Sequence, residues 1–155
     1  MEIRKADVKD IEQIKSLIDR SFDEIISQYH SGAIVNKFKT HNSSDNLRIQ
    51  LNWKEVYVAV ETETVLGTGA LANFGTEELP KYSVSNLYVL PELHKGGIGT
   101  EILNILYTKA KETATKSLHV PSTKNSIDFY KKYGFIVDEI QLDTDDEITW
   151  MSMLL

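Results

Sequence analysis

Apolar side chains near the N-terminus recur every three or four residues, which is the spacing of an amphipathic helix. The repeat begins after Asp7, a common N-cap residue, and continues through Ile11, Ile14, Ile18, Phe22 and Ile25. The predicted helix ends near residues 29–32. Residues 33–54 are less regular: Ala33–Phe38 predicts a short second helix, and the polar segment 41–46 predicts a loop.

Three strands are predicted next, because β-branched and aromatic residues dominate Glu55–Glu61, Thr64 to about Ala72 and Tyr82–Leu90. The connections between them are short, which indicates an antiparallel meander. Gly67 and Gly69 lie inside the second strand, where glycine is typical of a bulge or of a close approach by another backbone.

Helices and strands alternate after this meander. The predicted elements are helices over Ile98 to about Thr113 and Asn125–Tyr133, and strands over Leu118–Val120, Phe135–Leu142 and Ile148–Leu154. Gly134 is expected to close the second helix in a left-handed conformation. The segment from Tyr82 to Val120 has the order strand, helix, strand, which implies a parallel pair. The last two strands form a hairpin. The prediction is one domain over residues 1–155, an α/β fold with helices packed on a mixed sheet.

Composition narrows the function classes. The 155 residues are 41% hydrophobic and 26% charged, as in an ordinary globular domain. Cysteine is absent, which excludes disulfides, thiolate metal ligands and thiol nucleophiles. The four histidines are scattered without metal-ligand spacing, so no metal is expected. No apolar run reaches membrane-spanning length, and the N-terminus lacks a signal-peptide core. We therefore expect a cytoplasmic protein without a membrane partner.

The net charge of −6 comes from the last twenty residues, which hold six acidic and no basic side chains. The rest of the chain is balanced and has no basic patch, which argues against a nucleic-acid partner. The acidic turn Asp143–Glu147 has two readings. It attracts a cationic amine, or it is the solvated tip of a hairpin.

A glycine-rich segment, His94–Thr100, lies between a predicted strand and a predicted helix. The N–H groups of such a loop and of the helix N-terminus point the same way and bind anions, above all phosphate. A glycine-rich turn without a ligand is the alternative, and the loop alone does not decide between them. The P-loop pattern is absent, and the dinucleotide pattern would need glycine at Ile102.

A second motif lies about 30 residues downstream, where residues 125–135 read NSIDFYKKYGF after HKGGIG at 94–99. Together the two segments resemble the [QR]-x-x-G-x-[GA] and N-x-x-A-x-x-F-Y-x-x-x-G-F motifs of the GNAT superfamily of acyl-CoA-dependent N-acyltransferases. Gly97 and Gly99 match the first motif, and Asp128 replaces a small residue of the second. The resemblance implies a mostly antiparallel sheet of six to seven strands flanked by about four helices.

The resemblance also implies acetyl-CoA as cosubstrate and a small-molecule or peptide amine as acceptor, and homodimers are common in the family. The backbone of Leu87 and Val89 would pair with the pantetheine arm, and Val89 N–H would polarise the acyl carbonyl. Asn125 would hydrogen-bond the arm. The pyrophosphate would lie on the amides of Lys95, Gly96, Gly97, Ile98, Gly99 and Thr100.

Tyr130 would then be the general acid that protonates the departing coenzyme A thiolate. A tyrosine has a reference pKa near 10, so its hydroxyl is protonated at neutral pH and can donate. The alternative for Tyr130 is a helix aromatic that only packs in the core. Its place beside the glycine loop and Asn125 favours catalysis.

The sequence departs from the family at two points. His94 stands where the family has Gln or Arg, and it is either a pyrophosphate contact or a solvent-exposed loop histidine. Family members often carry a general base early in the strand that begins here at Tyr82, but this chain has Ser83, Ser85 and Asn86. We therefore predict no general base. A coenzyme A-binding or sensing module without turnover stays open as an alternative.

The acceptor site of the family is shaped by the first two helices and the last hairpin. The resemblance therefore points to Tyr29, His30 and Trp53 as candidate lining residues, with ordinary packing or surface exposure as the alternative for each.

Overall fold

A computed structural model describes the whole chain, Met1–Leu155. The strands are β1 (Glu2–Lys5), β2 (Glu55–Glu61), β3 (Thr64–Asn73), β4 (Tyr82–Val89), β5 (Ser117–Ser122), β6 (Ile136–Val137) and β7 (Thr149–Leu154). The helices are α1 (Ile11–Glu24), α2 (Gly32–His41), α3 (Ser44–Gln50), α4 (Ile98–Lys111) and α5 (Ile127–Tyr133). The seven strands form one sheet in the order β1-β2-β3-β4-β5-β7-β6, and only β4 and β5 run parallel. The predicted mixed, mostly antiparallel sheet is confirmed.

Two elements were not predicted from the sequence. Strand β1 has only four residues at the sheet edge, too few to show alternation. Helix α3 replaces part of the predicted loop at 41–46, and that prediction is wrong from Ser44 onward. The hydroxyl of Ser43 accepts a hydrogen bond from Asn46 N–H, and Leu47 is the helix's buried residue. A polar cap and a single apolar anchor are thus enough for a two-turn helix here.

The final hairpin is shorter than predicted. The first of its strands covers only Ile136–Val137 instead of Phe135–Leu142. Beyond it, the side chain of Gln141 takes the place of a strand backbone: its Oε1 accepts from Trp150 N–H at 2.8 Å, and its Nε2 donates to Trp150 O at 3.0 Å. The backbone between the two strands is free to turn away from the sheet.

Helices cover both faces of the sheet. On one face α1 packs with α2 and α3 around Ile18 and Phe22. On the other face α4 buries Ile102 and Leu106 against β2, β3 and β4. A Cβ built on Gly69 would lie 2.7 Å from Cγ2 of Ile102, so the close approach at this glycine is made by a side chain of α4 and not by another backbone.

The start of α1 is anchored by a partly buried ion pair. Asp7 caps a 3-10 turn, Val8–Asp10, that leads into the helix, and its own N–H donates to Asp10 at 2.9 Å. Arg4 on β1 donates two hydrogen bonds to the Asp10 carboxylate, at 2.8 and 2.9 Å. Asp10 is buried, and the Arg4 guanidinium lowers the pKa of its carboxyl. The pair ties the first strand to the first helix.

None of the helices combines the length and apolar character needed to cross a membrane. No group of three or more histidine and carboxylate side chains is placed to hold a metal ion.

A bulge in β4 opens the middle of the sheet. Thr68 pairs with Tyr88 and Ala70 pairs with Ser85, so an advance of two residues along β3 is matched by three residues along β4. Asn86 lies in the bulge with a φ of +51°. The parallel partner β5 meets β4 only at Ser83 and His119 and then diverges from it. The gap between the two strands is the start of a cleft.

Candidate active site

The cleft has a volume of about 1260 Å³ and runs from the β4–β5 gap to the α2–α3 side of the molecule. We distinguish two ends. The loop end comprises Val89, residues 93–95 and 97–100, Asn125 and Tyr130. The lysine end comprises Lys54 and the residues around it: Asn42, Gln50, Trp53, Phe74, Ser85 and Asn86.

The loop end begins with the turn from β4 into α4. Lys95 and Gly97 both have positive φ values, +69° and +88°, and Gly97 is the N-cap of α4. The N–H groups of Ile98, Gly99 and Thr100 open the helix and have no acceptor within the protein. Gly96 differs, because its N–H donates to Leu93 O at 3.2 Å. Free amides at a helix N-terminus favour an anion at this place.

Val89 ends β4 with its peptide N–H directed into the cleft. Leu90 N–H donates to Leu66 O on the β3 side at 2.9 Å. Peptide groups alternate along a strand, so Val89 N–H points the other way, toward the diverged β5. The imidazole Nε2 of His94 lies 3.0 Å from Val89 O. His94 is exposed, and this contact lets its ring brace the β4–α4 turn.

Asn125 carries a buried acceptor without a partner. Its Nδ2 donates to Ser126 Oγ at 3.3 Å, but its Oδ1 is buried and makes no hydrogen bond within the protein. Unpaired buried acceptors are uncommon and costly. Together with Val89 N–H and the α4 amides, this oxygen is suited to a long ligand with amide and phosphate groups.

Tyr130 lies on α5 with its ring in the core and its edge in the cleft. The ring contacts Phe129 and Phe135 at centroid distances of 5.2 and 5.4 Å, and 6% of the residue is exposed. Burial, and to a smaller extent the neighbouring Tyr88, raises the pKa of the Tyr130 hydroxyl. Tyr130 therefore packs in the core and also lines the cleft, and its role as general acid stays a prediction.

The lysine end is a network of side chains. Nζ of Lys54 donates to Ser85 Oγ at 3.0 Å and to Gln50 Oε1 at 3.1 Å. Asn86 in the β4 bulge donates to Gln50 Oε1 at 2.9 Å and to Asn42 Oδ1 at 3.1 Å. Burial lowers the pKa of Lys54 to about 8. The network joins α2, α3 and β4 around one cation.

The candidate acceptor residues separate in the structure. Trp53 lines the cleft and is 49% exposed. Tyr29 is exposed outside it. His30 is buried, and its Nε2 accepts from Lys124 N–H at 3.0 Å, so it connects loops and does not face the cleft.

The acidic turn is largely engaged within the protein. Asp146 pairs with Lys37, and Glu147 accepts from the N–H and hydroxyl of Ser31 at the start of α2. These hydrogen bonds from Ser31 lower the pKa of the Glu147 carboxyl. The turn is therefore not simply the solvated tip of a hairpin.

At the lysine end, sequence reasoning named Trp53 as a lining residue and Ser85 and Asn86 only as residues that are not bases; it missed Lys54, Gln50 and Asn42. Lys54 follows Trp53 directly, but nothing in its local sequence distinguishes it from a surface lysine. Its partners Gln50 and Asn42 lie in the stretch without clear periodicity. Ser83, one of the three residues found early in β4 in place of a base, is buried and donates to Lys81 O at 3.1 Å.

The chain matches the family model described as the acetyltransferase (GNAT) domain over residues 24–155. It therefore belongs to the GNAT acetyltransferase family, as the two motifs indicated. No curated protein sequence matches it significantly.

Solved structures share the fold across nearly the whole chain. The PaiA N-acetyltransferase from Thermoplasma acidophilum, in complex with coenzyme A, has a TM-score of 0.84 at 18% identity, covering 99% of this chain and 98% of that one. A predicted acetyltransferase from Clostridium acetobutylicum, with acetyl-CoA, has a TM-score of 0.69 at 26% identity, covering 92% and 94%. The ribosomal-protein-alanine N-acetyltransferase from Brucella melitensis has a TM-score of 0.69 at 18% identity, covering 100% of both chains.

Proposed function

We propose that this protein transfers an acetyl group from acetyl-CoA to a primary amine by direct attack, with Tyr130 as general acid. The observation that carries the proposal is the loop end of the cleft. There the free amides of α4, the Val89 N–H, the unpaired Asn125 Oδ1 and the Tyr130 hydroxyl all line one space.

In this proposal, coenzyme A is held mainly by backbone. The pyrophosphate lies on the free amides of Ile98, Gly99 and Thr100, with Lys95 and Gly97 beside them, while Gly96 N–H stays bonded to Leu93 O; the pantetheine arm follows β4 at Leu87 and Val89. Asn125 Oδ1 accepts from an amide of that arm. The Thermoplasma relative contains coenzyme A and the Clostridium relative contains acetyl-CoA, which supports this choice of ligand. His94 supports the loop through Val89 O, next to the pyrophosphate position.

Acetyl-CoA supplies an acyl group activated as a thioester. Val89 N–H donates to the acyl oxygen, where negative charge develops when the amine attacks. The amine nitrogen bonds to the acyl carbon, the carbon–sulfur bond breaks, and its electron pair leaves with the sulfur. Tyr130 gives its proton to that sulfur and is reprotonated from solvent, while the attacking amine loses its proton to water. The chain has no cysteine to carry the acyl group.

The raised pKa of Tyr130 is consistent with this role. Because burial disfavours the phenolate, the hydroxyl keeps its proton throughout the neutral and mildly alkaline range. A strongly raised pKa also makes Tyr130 a weak acid, so the proton moves only as charge develops on the sulfur.

A coenzyme A-binding or sensing module is the second candidate. The start of β4 favours it, because Ser83, Ser85 and Asn86 stand where a base is expected and none of them can take a proton from the amine. The sequence-based expectations of a single domain over 1–155, a homodimer and a cytoplasmic location stay predictions.

The test is Tyr130→Phe, assayed by release of free coenzyme A thiol with a panel of primary amines. We expect the turnover rate to fall by about 10²- to 10⁴-fold, with acetyl-CoA affinity within about twofold of the wild type. Tyr133→Phe is the matched control. The Tyr133 hydroxyl donates to Asn104 Oδ1 at 2.7 Å, and Tyr133 does not line the cleft. An unchanged turnover rate in Tyr130→Phe would show that Tyr130 is not the general acid. Binding of acetyl-CoA without thiol release for any amine would favour the sensing module.

A further inference from the structure

Lys54 is a cation without a counter-charge, placed inside the cleft. It immediately precedes β2, is partly buried, and lies within 4.0 Å of no carboxylate. Its hydrogen-bond partners, Ser85 Oγ and Gln50 Oε1, are both neutral. Only the rings of Trp53 and Phe74 offset the charge, at 4.9 and 5.5 Å from Nζ. Withdrawing an ammonium from water without a partner costs free energy.

The other charged side chains that line the cleft leave the charge of Lys54 uncompensated. Asp146 is paired with Lys37, and Asp143 accepts from Trp150 Nε1 at 3.2 Å. Lys81 adds a second cation without a carboxylate partner and lies 3.6 Å from the centre of the Trp150 ring. The remaining titratable side chains of the cleft are none of them carboxylates: His41, Tyr88, His94, Lys95, Tyr130 and Lys132. Burial alone accounts for the lowered pKa of Lys54, and no neighbouring charge contributes.

We propose that Lys54 binds a carboxylate of the acceptor, so that the acceptor is an amine that also carries a carboxylate. This inference rests on the proposed function, because it places the reacting amine at the loop end of the same cleft. The acceptor's carboxylate supplies the missing counter-charge. A polyamine, which would bring a second cation to Lys54, is disfavoured.

The two ends set the separation of the amine and the carboxylate. Lys54 contacts Ser85, and the acyl oxygen is assigned to Val89 N–H. Val89 pairs with Gly67 and Ser85 pairs with Ala70, so the two positions are separated by three residues along β3. At the usual rise per residue of a strand, this separation is roughly 10 Å. In an α-amino acid the two groups share one carbon, which is too short for this span. The acceptor class is therefore an ω-amino carboxylate or a short peptide, in which several bonds separate the groups.

The experiment compares 6-aminohexanoate with 6-aminohexanamide, which differ only in the charge at the far end. We expect wild-type kcat/KM to be about 10- to 100-fold higher for the carboxylate, as for a buried charge-assisted hydrogen bond. Lys54→Met should bring the ratio to about one. Because the ratio is taken within each variant, a general loss of folded enzyme cancels. Lys116→Met, at an exposed lysine without an ion pair, should keep the wild-type ratio.

Two further measurements test the length of the spacer and test acceptor binding without turnover. Glycine, which has the carboxylate but not the spacer, should be a poor acceptor. In the presence of coenzyme A, which cannot acetylate, 6-aminohexanoate should raise the melting temperature of the wild type but not of Lys54→Met.

A wild-type ratio near one with measurable turnover would overturn the carboxylate inference and leave the proposed function intact. A high ratio that persists in Lys54→Met would also overturn it. If acetyl-CoA neither stabilises the wild type nor acetylates any amine, the proposed function fails, and this inference fails with it.

Discussion

The two ends of the cleft are built from different parts of the chain. At the loop end the polar groups are mostly backbone amides in one short segment, positioned by a β4–α4 turn with positive φ values at Lys95 and Gly97. At the lysine end they are side chains from α2, α3 and β4, brought together around Lys54 by the fold. A backbone site tolerates many side-chain changes but few conformational ones. A site built from side chains is sensitive to substitution of those side chains and less sensitive to local backbone changes.

The largest expected effect is on stability, at the ion pair between Arg4 and Asp10 that anchors the helices beside the lysine end. Asp10→Asn removes the carboxylate that joins Arg4 to the start of α1, on which α2 and α3 pack. We expect a loss of about 2–3 kcal/mol in the free energy of unfolding, measured by urea denaturation, because the buried carboxylate that bonds both Arg4 and Asp7 N–H is lost. Asp45→Asn is the control, because its side chain is 93% exposed, and it should change stability little.

The same pair predicts a pH dependence. Arg4 lowers the pKa of Asp10 in the folded protein. The contribution of the ion pair to the free energy of unfolding is therefore fully present above the unfolded pKa of about 4. The contribution is lost as pH falls below that value through the folded pKa. Stability of the wild type should converge on that of Asp10→Asn below about pH 4. A constant difference between the two down to pH 2 would contradict this account.

The loop end should respond to backbone conformation. Gly97→Ala places a side chain at a φ of +88° and should cost about 1–2 kcal/mol. Gly99→Ala is the matched change two residues away, where φ is ordinary and a Cβ would meet Phe129 at 3.5 Å. It should leave the melting temperature nearly unchanged. Equal losses in both variants would show that packing, not the left-handed turn, determines this position.

Asn125 is the exception at the loop end, because its contribution is a side chain. Asn125→Ala should weaken acetyl-CoA binding about tenfold, measured by calorimetry, since the ligand loses one buried hydrogen bond. The free protein should not lose stability, because the variant also removes an unpaired buried acceptor. Ser126→Ala, which removes only the partner of Asn125 Nδ2, should bind acetyl-CoA nearly normally.

The loop end was more accessible to sequence reasoning than the lysine end, and the reason is physical. A turn that needs positive φ and free amides selects glycine at fixed spacing, so Gly97 is visible in the sequence. The long strands and α4 were equally visible through their apolar periodicity. Lys54, Ser85 and Asn86 meet only because β4 bulges and α3 packs beside it. Residues 41–54 gave no periodic pattern, because α3 has one buried residue, Leu47.

The central claim is that the loop end binds acetyl-CoA, and thermal unfolding with and without this ligand tests it most directly. At about 100 times its Kd, acetyl-CoA should add roughly 2.7 kcal/mol and raise the melting temperature by about 5–10 °C. Gly97→Glu should abolish the rise, because a Cβ there meets no protein atom within 4 Å and the acidic side chain extends into the cleft. Gly32→Glu, at an exposed glycine outside the cleft, should retain it. No rise in the wild type at saturating acetyl-CoA, or an equal rise in Gly97→Glu, would contradict the account.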